Sequence, residues 1–177
     1  NLVYELGRDD VYCLLVGEGD ARADLKKLAT SLDLDRYVEF PGRLSDKDAR
    51  RVLCSADVCI VPDPSNTFND LSTMTKMMDY MALGRPIVAF DLPEHRRTAG
   101  DAAVYVAGND ELELARAISA LLDDPERRRQ LGALARKRVE EHLVWEHSLR
   151  HLLGVYRGLL GPAPRDLTST AEPQRVA

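Results

Sequence analysis

Residues 69–91, NDLSTMTKMMDYMALGRPIVAFD, contain a predicted helix followed directly by a predicted strand. The methionines of this stretch recur at helical spacing and predict one buried helix face; they are Met74, Met77, Met78 and Met81. Gly84 and a proline end that helix, and the apolar run PIVAF at 86–90 predicts a buried strand directly after it. Asp79 remains as a single carboxylate on the polar side of the helix, and its role needs an explanation.

Short apolar runs alternate with amphipathic helices on both sides of this stretch. The predicted strands lie at 11–17, 37–42, 57–62, 86–90 and 103–106. The predicted helices follow them, at about 25–32, from Ser45 to Ala56, at 74–81, 93–99 and 110–122, from Pro125 onward, and from Trp145 to Leu160. Because the run VYCLLVG at 11–17 is continuously apolar, we expect that strand to be buried on both faces. The alternation predicts a doubly wound, Rossmann-like α/β domain with a parallel sheet.

Length and composition restrict the class of protein. A chain of 177 residues can bury one substantial core, and a net charge of −5 argues against a nucleic-acid partner. Three cysteines without a CxxC motif indicate reduced thiols in a cytoplasmic setting, with neither a metal site nor a cofactor implied. No apolar run approaches the roughly 20 residues that cross a bilayer.

Ligands of doubly wound sheets bind at the carboxyl ends of the strands, so the loops after strands are the candidate sites. Gly17 and Gly19 follow the first strand, where glycines let the backbone approach a phosphate or simply form a tight turn. Gly42 and Arg43 follow the second strand, where a glycine accommodates a planar base and the arginine either contacts a phosphate or stays solvated.

Two interpretations of Asp79 remain open at this point. In one, Asp79 forms an ion pair with Lys76, three residues earlier on the helix. In the other, the carboxylate accepts two hydrogen bonds from a vicinal diol such as a ribose. The residues before the helix, Leu71, Ser72 and Thr73, then direct backbone N–H groups at a diphosphate.

From about residue 5 to residue 160, the sequence resembles a known family. The segments LLVGEGD, YVEFPGRLSDKDARRVLCSADVCIVPDPSN and DYMALGRPIVAFDLPEHR resemble the C-terminal, donor-binding domain of retaining glycosyltransferases of family four, which have the two-domain GT-B fold. That family carries two glutamates separated by seven residues. The resemblance places the second on Asp79, as the ribose-diol acceptor, and the first on Leu71. It implies that Ser72, Thr73 and Thr75 contact the donor phosphates and that Gly17 and Gly42 flank the donor.

The chain departs from the family pattern in two ways. Leu71 cannot do the work of a glutamate on the donor sugar, and Asp70 beside it points about 100° away if both lie on a helix. The chain also starts inside the family's first helix, so we expect the first strand, a basic phosphate-binding loop and the N-terminal acceptor domain to be absent. The tail at 161–177 is polar and proline-rich, and we expect it to be disordered.

The sequence therefore predicts the donor-binding half of a glycosyltransferase, with residues 1–160 as a nucleotide-sugar-binding domain that is inactive alone. The resemblance implies a role in surface polysaccharide biosynthesis. The expected partners are a nucleotide-sugar donor, the acceptor domain, a membrane surface bound peripherally by the full-length enzyme, and a second copy bound through an uncovered apolar stripe of the last helix. Two alternatives stay open: a non-catalytic nucleotide-binding or scaffold module, and a nucleotide-sugar epimerase.

Overall fold

The computed structural model describes residues 1–161, which fold into alternating strands and helices. The strands are β1 (Cys13–Val16), β2 (Val38–Gly42), β3 (Cys59–Val61), β4 (Ile87–Phe90) and β5 (Ala103–Val106). The helices are α1 (Arg22–Ser31), α2 (Asp46–Ser55), α3 (Thr75–Ala82), α4 (Pro93–Ala99), α5 (Glu111–Leu122), α6 (Pro125–Arg138) and α7 (Trp145–Leu160). The predicted disorder of the tail concerns residues 162–177, which lie outside the described residues.

Every strand pairing is parallel, which confirms the predicted α/β class. The strands pair as two groups: β1 with β2, and β3, β4 and β5 in that order. In the larger group Ile87 of β4 lies opposite Cys59 on one side and Ala103 on the other. Since β4 is the central strand of this group, its four residues are all buried, as the apolar run PIVAF predicts.

The core lies against β4 and is closed by α5 and α6. Its buried members are Val88, Phe90, Leu92, Leu114, Leu121 and Leu131. Helix α3 adds Met77 and Met81, which are completely buried, whereas Met74 and Met78 are half-buried, so the prediction of a buried methionine stripe is confirmed for two of its four members. This packing fixes α3, and with it Asp79, relative to the sheet.

The prediction that the first strand is buried on both faces is wrong. Leu14, Leu15 and Val16 of β1 are 37–42% exposed, and the predicted apolar face of α1 is 43–52% exposed at its leucines, Leu25, Leu28 and Leu32. The reason is what surrounds the strand: among residues 1–161, β1 pairs with β2 alone, and no helix packs closely on its faces. An apolar run shows that a strand can be buried, whereas its neighbours decide whether it is.

Side-chain caps begin several of the helices where the sequence predicts them. Ser45 Oγ accepts a hydrogen bond from the Asp48 amide at 3.2 Å, so Ser45 caps α2 at the predicted start of that helix. Asp124 caps α6 through the Arg127 amide at 2.8 Å, directly before Pro125. Asn1–Glu140 form one compact unit, and α7 belongs to a second unit that begins at Glu141.

Helix α7 is amphipathic and has no buried residue within the described chain. Its apolar side includes Trp145, Leu152, Leu153 and Tyr156, all of them exposed. None of the helices in residues 1–161 is both long and apolar enough to cross a membrane.

Candidate functional site

The loops that follow β3, β4 and β5 meet at the carboxyl edge of the larger strand group. Asn109, after β5, accepts a hydrogen bond from the Ser65 amide at 2.9 Å and donates one to the Ser65 carbonyl at 3.4 Å. Ser65 Oγ in turn lies 3.1 and 3.2 Å from the carboxylate oxygens of Asp70. Gly108 approaches so closely that a Cβ there would lie 3.2 Å from the Ser65 Cβ. The loop after β3 is therefore fixed to the loop after β5.

A second contact fixes the same loop to α4. Thr73 Oγ1 donates a hydrogen bond to Glu94 Oε2 at 2.8 Å, and Arg97 lies 3.3 Å from the other Glu94 oxygen. The hydrogen bond from Thr73, with a smaller contribution from Arg97, holds the pKa of Glu94 below its usual value despite desolvation. Glu94 is thus an ionised acceptor that positions Thr73, a predicted donor-binding residue.

Lys76 forms an ion pair with Asp63 rather than with Asp79. Its Nζ lies 3.0 Å from Asp63 Oδ1, with hydrogen-bond geometry, and 2.7 Å from Oδ2. Asp63 stands two residues beyond β3, and its side chain is 20% exposed, against 41% for Lys76. The interpretation of Asp79 as the ion-pair partner of Lys76 is therefore wrong, because an acid 13 residues earlier in the sequence takes the lysine.

Asp79 lies on the exposed side of α3. Within residues 1–161 its carboxylate takes part in no hydrogen bond and no salt bridge, so its acceptor oxygens face solvent unoccupied by protein donors. Its neighbour Tyr80 turns inward, and burial raises the pKa of that phenol to about 12. Helix α3 is therefore packed into the core on one side and presents the unpaired carboxylate of Asp79 to solvent on the other.

The segment before α3 differs from the expected arrangement. Residues Asn69–Leu71 form a short 3-10 helix, and α3 begins at Thr75, within one residue of the predicted start. The amides of Leu71 and Ser72 donate to carbonyls within this turn, at 3.3 and 3.1 Å, instead of pointing outward at a helix start. Ser72 Oγ also donates within the turn, to the Phe68 carbonyl at 2.6 Å. Leu71 is 80% exposed, with its apolar side chain in solvent.

The glycines of the first two strands form a separate cluster. The Gly17 amide donates to the Gly42 carbonyl at 2.9 Å, which joins the loops after β1 and β2. Gly42 has a φ of 80°, and a Cβ there would lie 2.5 Å from Glu18 Oε1, so the position requires glycine. Arg43 follows as an exposed side chain without a hydrogen-bond or ion-pair partner in the described part of the chain. The structure thus supports a close turn here, with one free cation beside it.

The predicted site residues accordingly fall into two groups. Those after β1 and β2 are Gly17, Gly19, Gly42 and Arg43; those before and on α3 are Leu71, Ser72, Thr73, Thr75 and Asp79. Each group is at the carboxyl end of its own strands, and no hydrogen bond among residues 1–161 joins the two. Nowhere in this part of the chain do three or more His, Cys, Asp or Glu side chains form a cluster that could hold a metal ion.

Sequence reasoning missed several polar residues that organise the site. They are Asp63, Ser65, Glu94 and Asn109. A usable signal was present, because each follows a predicted strand by a few residues, where parallel sheets place their ligand-binding loops. Which of them pair cannot be read from spacing, since the partners are 5 to 44 residues apart.

Comparison with known proteins assigns the chain to a family. Residues 2–124 match the family described as glycosyl transferases group 1. A GDP-mannose-dependent monoacylated alpha-(1-6)-phosphatidylinositol monomannoside mannosyltransferase of Corynebacterium glutamicum is 32% identical over 142 residues, which cover 78% of this chain and 37% of that protein. A phosphatidyl-myo-inositol mannosyltransferase of Mycobacterium leprae is 33% identical over 147 residues, covering 80% of this chain and 37% of that protein.

Solved structures agree with this assignment. Sucrose-phosphate synthase from Thermosynechococcus elongatus superposes with a TM-score of 0.69 at 26% identity, covering 83% of this chain and 38% of that one. A glycosyltransferase from Rickettsia africae, at 20% identity and a TM-score of 0.76 over 92% of this chain and 43% of that one, shares the fold. The chain spans well under half the length of the curated relatives it matches. It belongs to the glycosyl transferases group 1 family.

Proposed function

We propose that this chain is the donor-binding half of a glycosyltransferase that moves a glycosyl group from a nucleotide sugar to a hydroxyl acceptor. In the finer assignment, the enzyme is a retaining family-four transferase with the GT-B fold, and this chain is its C-terminal domain. Family membership supports the reaction class. The names of the relatives support a nucleotide-sugar donor, since one of them is described as GDP-mannose-dependent.

The unpaired carboxylate of Asp79 is the observation on which the donor site depends. A surface acid with no protein partner contributes nothing to folding through hydrogen bonds, yet Asp79 stands on a helix that is held in the core by the completely buried Met77 and Met81. A rigid carboxylate with both oxygens free can accept two hydrogen bonds from a ribose diol. In this proposal Asp79 anchors the nucleotide and takes no part as acid or base.

The chemistry of such a transfer relies on positioning and on stabilising the departing diphosphate. The loop after β3 contributes to positioning, because Asn109 and Glu94 hold it at both ends. Thr75 begins α3, so its amide is among those without an intrahelical acceptor and is available to a phosphate. Gly42 and Arg43 are proposed to border the nucleotide from the other strand group.

The exposed side chains of β1 support the view that the sheet has a further strand. Doubly wound sheets commonly have the order 3-2-1-4-5-6 or the order 2-1-3-4-5. The observed pairs β2-β1 and β3-β4-β5 fit 3-2 and 4-5-6 of the first order, with no described strand in the central place, and 2-1 and 3-4-5 of the second. The exposed apolar residues of β1 agree with a further strand beside it. We propose that this strand and the acceptor domain belong to the full-length enzyme.

The proposed cellular setting follows from the relatives. Two of them are named for phosphatidylinositol substrates, so we place the full-length enzyme in the cytoplasm, peripherally at a membrane, in surface polysaccharide or glycolipid biosynthesis. Self-association of the chain through the exposed apolar side of α7 remains part of the proposal.

A non-catalytic nucleotide-binding or scaffold module is the second candidate, and Leu71 favours it. That side chain is exposed where the family resemblance expects a glutamate for the donor sugar, and it cannot accept a hydrogen bond. Asp70 does not replace the glutamate here, because its carboxylate already accepts a hydrogen bond from Ser65.

Calorimetric titration of the chain with GDP and with UDP tests the donor site. We expect saturable binding of one of them, and at least a tenfold loss, about 1.4 kcal/mol, in Asp79→Ala. Asp101→Ala is the matched control, since Asp101 is another exposed acid, placed before β5 at the opposite end of the sheet. Melting temperatures of both variants should equal that of the wild type, because neither acid has a hydrogen-bond partner in the described chain.

Three results would count against the proposal. If neither nucleotide binds, the donor site is wrong and the scaffold alternative gains support. If Asp101→Ala weakens binding as much as Asp79→Ala, the effect is general charge rather than an anchor. A large drop in the melting temperature of Asp79→Ala would give Asp79 a structural role.

A further inference from the structure

We propose that Lys76 is the cation of this chain that binds the diphosphate of the nucleotide donor, and that Asp63 positions it there. The inference rests on the proposed function, since it names a further binding residue for the same site. It assigns to the ion pair between Lys76 and Asp63 a task beyond joining α3 to the end of β3.

The geometry gives Lys76 a defined position at the edge of the sheet. Asp63 lies directly after β3 and Pro62, and its Oδ1 accepts a hydrogen bond from Lys76 Nζ at 3.0 Å. A lysine ammonium has three N–H donors, so this contact leaves two for a ligand. Asp63 is the more buried partner, 20% exposed against 41%, and the lysine therefore forms the outward side of the pair.

Lys76 also stands in the right relation to Asp79. The two residues are three apart on α3 and therefore neighbours on one face of the helix. Lys76 is on the N-terminal turn, and Asp79 lies one turn later. A nucleoside diphosphate whose ribose binds Asp79 can extend its phosphates toward the helix start, where the partial positive charge of the helix and the ammonium act together.

The competing explanation is that the ion pair is purely structural, and its contribution to stability can be measured separately from its contribution to binding. Partly exposed pairs contribute little to stability, typically about 0–1 kcal/mol, so removal of Lys76 should leave a folded protein. A purely structural role affects the melting temperature and changes the affinities for a nucleoside and its diphosphate equally. A phosphate-binding role changes only the affinity for the diphosphate.

The experiment compares each nucleoside with its diphosphate, guanosine with GDP and uridine with UDP, on the 177-residue chain by calorimetry. For the pair that the wild type binds, Lys76→Met should weaken the diphosphate about tenfold and leave the nucleoside within about twofold. Lys76→Arg should retain most of the diphosphate affinity, since it keeps the charge. Lys47→Met is the matched control, because Lys47 is an exposed lysine at the same position, second in its helix, on α2.

Lys76→Met leaves Asp63 without its partner, and the double variant Asp63→Asn/Lys76→Met tests whether that unpaired acid causes any loss of affinity. This double variant removes both charges, so it should fold and still show the tenfold loss for the diphosphate alone. If Lys76→Met keeps the wild-type ratio of diphosphate to nucleoside affinity, or if the loss disappears in the double variant, the assignment of Lys76 is overturned while the donor site stands. If the wild type binds neither diphosphate, the proposed function itself fails.

Discussion

Gly132 in α6 should resist substitution by alanine, against the usual preference of helices. Its Cα faces the backbone that ends α3: a Cβ at Gly132 would lie 2.2 Å from the Gly84 carbonyl oxygen and 3.1 Å from its carbonyl carbon. Gly84 has a φ of 62°, a conformation that itself favours glycine. The two glycines allow α6 and the end of α3 to touch through backbone atoms.

The expected size of the effect follows from two opposed contributions. Alanine in place of glycine normally stabilises a helix interior by about 1 kcal/mol. Overpacking costs about 1–3 kcal/mol, and the upper end applies here because the atom in the way belongs to the backbone and cannot rotate aside. The net expectation for Gly132→Ala is a loss of about 2 kcal/mol, which lowers the melting temperature by about 4–8 °C in a domain of this size.

Thermal unfolding followed by circular dichroism measures this directly. Gly158→Ala is the control, because Gly158 is also inside a helix, α7, and a Cβ there meets nothing within 4 Å. We expect no loss of stability in the control. If Gly132→Ala melts at or above the wild-type temperature, the close approach of the two backbones imposes no cost and this prediction is wrong.

Two smaller predictions concern titratable groups. Burial raises the pKa of the Cys59 thiol to about 12, whereas Cys54 is exposed. A thiol reagent at mildly alkaline pH should therefore label Cys54 first, and Cys54→Ser should abolish the fast phase of labelling. A fast phase that survives in this variant would contradict the prediction. Two hydrogen bonds from Arg96 lower the pKa of Asp91, so the stabilisation is complete above its ordinary pKa of about 4 and is lost as the pH falls through the lowered value. Melting curves of the wild type and Asp91→Asn should therefore converge in acid, and a gap that widens there would exclude this origin.

Local patterns in the sequence were sufficient for the elements and for most of the core. The strand at 86–90 and the last helix from Trp145 to Leu160 are where apolar runs and helical spacing place them. The cap at Ser45 is another success, because a hydroxyl and an amide three residues apart interact within one turn. Each of these features depends on residues close together in the chain, so the sequence alone contains the information.

Features that depend on distant residues were beyond such patterns. The exposure of β1 depends on which strands and helices surround it, and the apolar run VYCLLVG carries no information about that. The partner of Lys76 is Asp63, in another loop, whereas helical spacing favours Asp79. The 3-10 helix at Asn69–Leu71, which the sequence patterns did not predict, depends on hydrogen bonds within that turn.

The turn that precedes α3 is held together by side chains as well as by its backbone. Asn66 Oδ1 accepts hydrogen bonds from the amides of Phe68 and Asn69, at 3.0 and 2.9 Å, so a side chain takes the role that a helix backbone would otherwise have. With Asn109 holding one end of the loop and Glu94 the other, a nucleotide need not supply the free energy of ordering it. An ordered loop also keeps Leu71 in solvent, although apolar side chains favour burial. The polar contacts of this loop outweigh the exposure of its apolar side chain. A loop that keeps its conformation in this way is suited to bind a ligand without rearranging.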